Sequence, residues 1–300
     1  MKTKSMFARE YLGRTVVTVF GLFIIALTLA IAAFLFVKGI GTFTVDKHTP
    51  WEFLFSSNWN PDDMKKGGTV GAAVFIVGSI VISLMALLIA TPFSIAAAIF
   101  MTEISSRLGE RLLQPAIELF IGIPSVVYGW VGLTVLVPFI ARVFHLLYGF
   151  GVLSGAVVLA VMIFPTITSV ASDSIRSVPQ KYKEASYGLG STRWQSIRHV
   201  VLPSAVPGVL TGVVLGLARA FGEALAVAMV IGKMPVFPSS IFSPTSNLTA
   251  EIASDMGNAA PGSEFYNALW TMALLLLLIS FGFIVLIRVI GGNGGKKNEG

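Results

Sequence analysis

Cysteine is absent and charge is scarce: of 300 residues, only 12% are Asp, Glu, Lys or Arg. An ordinary soluble domain carries about 25%. So little charge cannot cover a surface facing water, which argues against a soluble globular domain and makes a bilayer the expected solvent. Without cysteine there are no disulfides and no thiolate metal sites. The three histidines, His48, His145 and His199, share no metal-ligand spacing and read as loop or interface residues. No glycine-rich loop ending in Gly-Lys-Ser or Gly-Lys-Thr is present to cradle a nucleotide's phosphates. No nucleophile–base–acid constellation stands out either. The chain is therefore expected to be no enzyme and to carry no cofactor.

What fills the sequence is apolar: 55% of it is hydrophobic. A helix crosses a bilayer in about 20 residues, and six runs qualify: 15–37, 69–100, 116–141, 151–171, 203–232 and 267–290. The expectation is an all-α membrane protein, a polytopic bundle of six transmembrane helices. It comprises an N-terminal segment (1–14), a membrane domain (15–290) and a flexible tail (291–300). The first run begins basic, with Lys2, Lys4, Arg9 and Arg14, as a signal peptide does. Its apolar stretch continues to Val37, longer than the roughly 7–15 residues of a signal peptide, so it reads as an uncleaved anchor.

Lysine and arginine set the orientation. With the N-terminus inside, fourteen of the 21 basic residues fall in inner segments and six in outer ones, and Arg219 is in the membrane. Both termini are expected to be cytoplasmic. Lys65 and Lys66 run against the bias. The net charge of +6 thus reflects topology and gives no reason to expect nucleic acid. Outside, HTPWEFLFSSNWNPDD (48–63) has aromatic residues suited to the membrane interface. KMPVFPSSIFSPTSNLT (233–249) is rich in proline and serine and reads as irregular.

The inner segment 172–200 is patterned. After Pro179, QKYKEASYGL is made of good helix formers. Gly188 and Gly190 break it, and STRWQSIRHVV restarts with a Ser191 or Thr192 cap. Trp194, Ile197, Val200 and Val201 then lie at helical spacing. Two short helices joined by a glycine turn are expected, with Pro203 opening the fifth span. EASYGLGSTRWQSIRHVVLP (184–203) resembles the loop motif of ABC importer permeases. Glu184, Ala185, Gly190, Leu202 and Pro203 match in register, while Ser186 replaces an alanine and Val200 an isoleucine. The resemblance implies a type I permease fold whose loop docks in a groove of a separate ATP-binding subunit. Gly190 would supply the positive φ of the turn.

In the fifth run, Gly208, Gly212, Gly216 and Ala220 recur every four residues and suit close helix packing. Arg219 and Glu223 are also four apart, so an unbroken helix stacks them on one face. A central membrane arginine costs about 2.5–3.5 kcal/mol or more, so it needs a partner. Either the two residues neutralise each other, or they line a wet path where the guanidinium fork meets an oxyanion. Glu118, after Pro115, pairs near the inner surface or joins an inner gate. Pro124 is expected to kink the third span.

ELFIGIPSVVYGWVGLTVLVP (118–138), LARAFGEALAVAMVIG (217–232) and FPSSIFSPTSNLTAEIA (237–253) resemble the phosphate-specific (Pst) branch, in particular its C-type permease subunit. That resemblance implies a bacterial inner-membrane location and phosphate as substrate. It also implies a homologous A-type permease partner, two copies of an ATP-binding subunit and an extracytoplasmic phosphate-binding protein. Permeation of another oxyanion, sulfate or molybdate, is the nearest alternative. A gradient-driven anion carrier or channel would leave the 184–203 pattern unexplained.

Overall fold

The computed structural model describes residues 2–61 and 67–295. Lys65 and Lys66, and Lys296 and Lys297 of the tail, lie outside the described residues. Among the described residues, six helices are long and apolar enough to cross a membrane: Gly13–Thr44, Ala73–Ile104, Ser125–Val143, Val152–Arg176, Arg193–Gly222 and Glu264–Leu286. Here they are the first to sixth spans. Lipid offers a backbone group no hydrogen bond, so each apolar run closes its own as a helix.

The fourth span is the hub. It packs along both the second and the fifth, and 67% of its most apolar stretch is buried, against none of the first span's. Small residues allow this close approach. The glycine ridge of the fifth span faces the fourth: a methyl on Gly216 would fall 2.6 Å from Ile167, and one on Gly208 would meet Ser174. Behind them Ile82, Leu159, Ile163, Ile167, Val227 and Ile231 form the central core. The first span lies along the sixth, where the Thr42 and Thr271 hydroxyls meet at 2.7 Å.

Several boundaries differ from the sequence expectation, and four of the differences change the reading. The third run is broken, not kinked. A short helix, Gln114–Gly122, ends before Ile123 (ψ 127°) and Pro124 (ψ 142°), and a new helix starts at Ser125. Proline pushes the residue before it out of the helical region, and its own nitrogen cannot donate. The fifth helix ends at Gly222, where 232 was expected, because Glu223 is extended (φ −76°, ψ 124°). At its other end that helix reaches back through a π-turn, Ile197–Val201, to Arg193. The second arm of the 172–200 loop is therefore the start of the fifth span itself. The last helix runs from Glu264 to Gly295, past the expected tail boundary at 291, since no proline interrupts it.

At the end of the bundle away from the 172–200 loop, the connections fold into a cap. Trp59–Asn60 pairs antiparallel with Thr69–Val70, and Trp59 stacks edge-on against Phe75 and Phe265. His48 sits between two carboxylates, touching Glu264 and lying 3.4 Å from Glu52. Burial lowers its pKa, but the two acids outweigh that and the net shift is upward. The proline-rich stretch after the fifth span is irregular, as expected. It leads into a helix the sequence did not announce, Leu248–Asp255, capped by the Asn247 side chain on the Ala250 N–H at 3.0 Å.

Candidate functional site

Arg219 occupies the last turn of the fifth span and is half-buried. Its Nη1 donates to Thr166 Oγ1 on the fourth span at 2.6 Å. Thr166 follows Pro165, which lies within that helix. Among the described residues no carboxylate forms an ion pair with Arg219. Its contact partner is a neutral hydroxyl, so its positive charge is not cancelled by direct pairing.

The expected stacking of Glu223 over Arg219 is thus corrected. The helix stops between them, and the Glu223 carboxylate turns to the next element. From one residue before the N-cap position, Ala224, its Oε1 accepts from the Ala226 N–H at 3.1 Å and so serves the short helix Leu225–Ala228 as a cap does, by satisfying a first-turn N–H. The Glu223 carbonyl, released at the helix end, accepts from Thr249 Oγ1 at 2.6 Å. Helix ends leave such carbonyls unpaired, and here a residue 26 positions on supplies the donor.

Thr249 belongs to the buried helix Leu248–Asp255, held to the second span by the bond from Leu248 N–H to Ser79 Oγ at 3.0 Å. Glu251 on this helix is 8% exposed. Burial first, then the charge of Asp255 one turn on, pushes its carboxyl up to about 7; hydrogen bonds from Ser246 and Trp59 oppose the shift.

Glu118 lies apart from this group. It is exposed on the short helix before the break and accepts from Gln114 Nε2 at 3.0 Å. The residue that bridges is Tyr128. Its hydroxyl donates across the break to the Phe120 carbonyl at 2.8 Å. Sequence reading passed over Tyr128, Thr166 and Thr249. The signals for the first two were their places four residues after Pro124 and one after Pro165, where proline frees backbone. Thr249 gave none. Tyr128 also edges a groove of about 360 Å³ between the third and fourth spans, lined by Val131, Val135, Phe139, Val157 and Val161. That lining suits an acyl chain or a helix and offers an anion nothing.

At the opposite end, the loop forms one free helix, Gln180–Gly188, a turn, and the start of the fifth span. Gly190 has φ +79°, the left-handed value expected of it. Thr192 and Gln195 close a capping box at the restart. Glu184 and Ala185 are exposed, Tyr187 is 44% and Leu189 90% exposed, and Ser186 is buried, its Oγ 2.5 Å from Ser191 Oγ. Leu202 is half-buried and Pro203 exposed, both within the helix that enters the membrane.

A six-span bundle with a half-buried, unpaired arginine and a projecting two-armed loop has the form of a membrane permease subunit. Residues 90–292 match the family described as "Binding-protein-dependent transport system inner membrane component", and the chain belongs to that family. It is 52% identical over 281 residues to "Probable ABC transporter permease protein YqgH" of Bacillus subtilis (strain 168), covering 94% of this chain and 90% of that one. It is 38% identical to "Phosphate transport system permease protein PstC" of Mesorhizobium japonicum, over 79% of this chain and 77% of that one. The PstC of Pasteurella multocida is 35% identical over 94% and 91%. These relatives are transport permeases, not enzymes. In fold, the chain resembles an amino acid ABC transporter crystal structure (TM-score 0.53, 14% identity, 73% of this chain and 92% of that one). It also resembles an inward-facing structure of the MetNI methionine ABC transporter (TM-score 0.51, 21% identity, 71% and 91%).

Proposed function

We propose that this chain is the C-type permease subunit of an ATP-driven importer of inorganic phosphate. In this reading it supplies half of the translocation path, beside a homologous A-type permease. Two copies of a separate ATP-binding subunit hydrolyse ATP and dock on the 172–200 loop, and a phosphate-binding protein delivers the substrate on the far side. Both termini then lie in the cytoplasm, where the basic loops favour them.

The observation that carries the substrate assignment is Arg219. A guanidinium in a membrane span is costly unless something meets its charge, and here its hydrogen-bond partner is uncharged Thr166. A planar donor fork with no acid paired to it suits a tetrahedral oxyanion. Identity to two PstC proteins over most of the chain favours phosphate among oxyanions. Glu223 and Glu118 are assigned to the path walls, and Glu184, Ala185, Ser186, Gly190, Leu202 and Pro203 to coupling with the ATP-binding subunit.

The test is labelled-phosphate uptake in cells carrying Arg219→Gln or Arg219→Lys at matched membrane levels. The Gln variant is expected to lose uptake, and the Lys variant to keep part of it, because an ammonium keeps the charge without the fork. Full uptake by the Gln variant would refute the role of Arg219. Equal competition by sulfate or molybdate would shift the substrate to oxyanions in general. Uptake that survives loss of the ATP-binding subunit would point to a gradient-driven carrier.

A further inference from the structure

Three elements meet at Glu103, in the π-turn Phe100–Ile104 that ends the second span. Its carboxylate is 8% exposed and lies 2.5 Å from Lys183 Nζ. Its carbonyl accepts from Arg193 Nη2, which also donates to the Ile104 carbonyl at 3.1 Å. The last carbonyls of a helix have no partner within it, and a cation there also meets the negative end of the helix dipole. Lys183 comes from the free helix Gln180–Gly188, and Arg193 from the first turn of the helix that becomes the fifth span. They stand on either side of the Gly190 turn. Both arms of the loop are thus fastened to one residue of the second span.

The fastening matters because the free helix has little else to hold it. Ser186 is its one buried side chain. An apolar cluster that includes Ala98, Ile99, Ala171, Ile175, Ile197 and Val201 joins the second, fourth and fifth spans at this end, but it contains no residue of the free helix. Among the described residues, Lys183–Glu103 is the only ion pair between that helix and a span. Glu184, the first residue of the loop motif, is Lys183's neighbour in the chain.

We propose that Glu103 is a positioning residue for energy coupling. Through Lys183 and Arg193 it binds the loop to the second span, so that a displacement of the loop moves the second and fifth spans as one body. Without the tie, the free helix swings about the Gly190 turn and the displacement is lost. This inference rests on the transport function proposed for the chain.

The experiment uses the whole transporter in vesicles, with its ATP-binding subunits, partner permease and phosphate-binding protein. ATP hydrolysis and phosphate entry are measured together. Lys183→Met and Glu103→Gln remove the charges with little change of shape and leave the exposed faces of Glu184, Tyr187 and Leu189 untouched. Assembly and hydrolysis are expected to persist, while phosphate moved per ATP falls about tenfold, within the usual range of coupling between sites. The chain has no cysteine, so Glu103→Cys with Lys183→Cys introduces its only thiols. Joining them with a short bifunctional thiol reagent is expected to restore the ratio. An unchanged ratio in Lys183→Met would overturn the proposal, as would loss of the ATP-binding subunits from that variant. So would a cross-link that stops transport while hydrolysis continues, since the contact would then have to open in each cycle. Wild-type vesicles measured alongside separate the two readings. No ATP-driven phosphate entry there sinks the transport function; wild-type entry with a variant that stays coupled sinks only the tie.

Discussion

Glu251 shows how a single side chain sets conditions for its surroundings. It is buried on the helix whose Thr249 holds the Glu223 carbonyl, with Asp255, Ser246 and Trp59 around it. Its carboxyl is pushed from 4.5 up to about 7, so the folded chain holds the proton more tightly than the unfolded chain does. The sign follows: this group's contribution to stability is fully present below about pH 4.5, declines as pH rises toward 7, and stays at its low level above that. The loss is on the order of 3 kcal/mol for a shift of this size. Glu251→Gln mimics the protonated acid and keeps an acceptor for Ser246 and Trp59. Its unfolding temperature in detergent is expected to exceed the wild type's at pH 8 and to match it near pH 4.5. Parallel pH curves for the two proteins would show that the carboxyl does not titrate in this window.

At the scale of elements, the clearest sequence signals were local ones. The six apolar runs, the capped restart at Thr192 and the turn at Gly190 depend on neighbours in the chain, and the structure has all three. The break after Gly222 was not legible, because the donor that takes the freed Glu223 carbonyl, Thr249, is 26 residues away, and the local turn of the Glu223 side chain to the Ala226 N–H follows only once the helix has ended. An apolar run through Gly232 looks continuous when only periodicity is read. The Arg219–Glu223 spacing suggested a pair for the same reason, while Thr166, the actual partner, is 53 residues away. The end of the second span was likewise silent, since Glu103 gains meaning only when Lys183 and Arg193 arrive. The cap gives a test that separates shape from charge. Glu223→Ala removes the acceptor of the Ala226 N–H and is expected to cost about 1 kcal/mol, as lost helix caps do. Glu223→Gln keeps an acceptor oxygen and is expected to keep the unfolding temperature. If the Glu223→Gln protein is stable yet slow in phosphate uptake, the negative charge serves the path; if it is stable and fully active, the carboxylate is only a cap.

For the molecule as a whole, the decisive quantity is which end faces the cytoplasm, because every functional assignment inverts with it. The six spans alternate direction. The end of the second span, the end of the fourth and the start of the fifth share one face of the bundle, tied by Glu103, Lys183 and Arg193. Arg107, Arg111 and Lys181 lie just beyond those span ends, Arg176 is the last residue of the fourth span, and Arg198 sits in the first turns of the fifth. The opposite end carries the aromatic cap of Trp59, Phe75 and Phe265, and there the Ser239–Ser243 turn lies over the start of the fourth span, its Ile241 carbonyl accepting from the Leu153 N–H at 2.7 Å and its Ser239 side exposed. Cationic flanks are retained on the cytoplasmic side and aromatic rings settle at the interface, so the loop end is expected inside, within reach of ATP. A chain without cysteine makes this measurable. Lys181→Cys and Ser239→Cys each place one thiol at an exposed position, at opposite ends. In intact cells a maleimide that cannot cross the membrane is expected to label the 239 thiol and to spare the 181 thiol until the cells are opened. The reverse pattern would put the loop outside, away from any cytoplasmic ATP-binding subunit, and the proposed coupling would have no physical route.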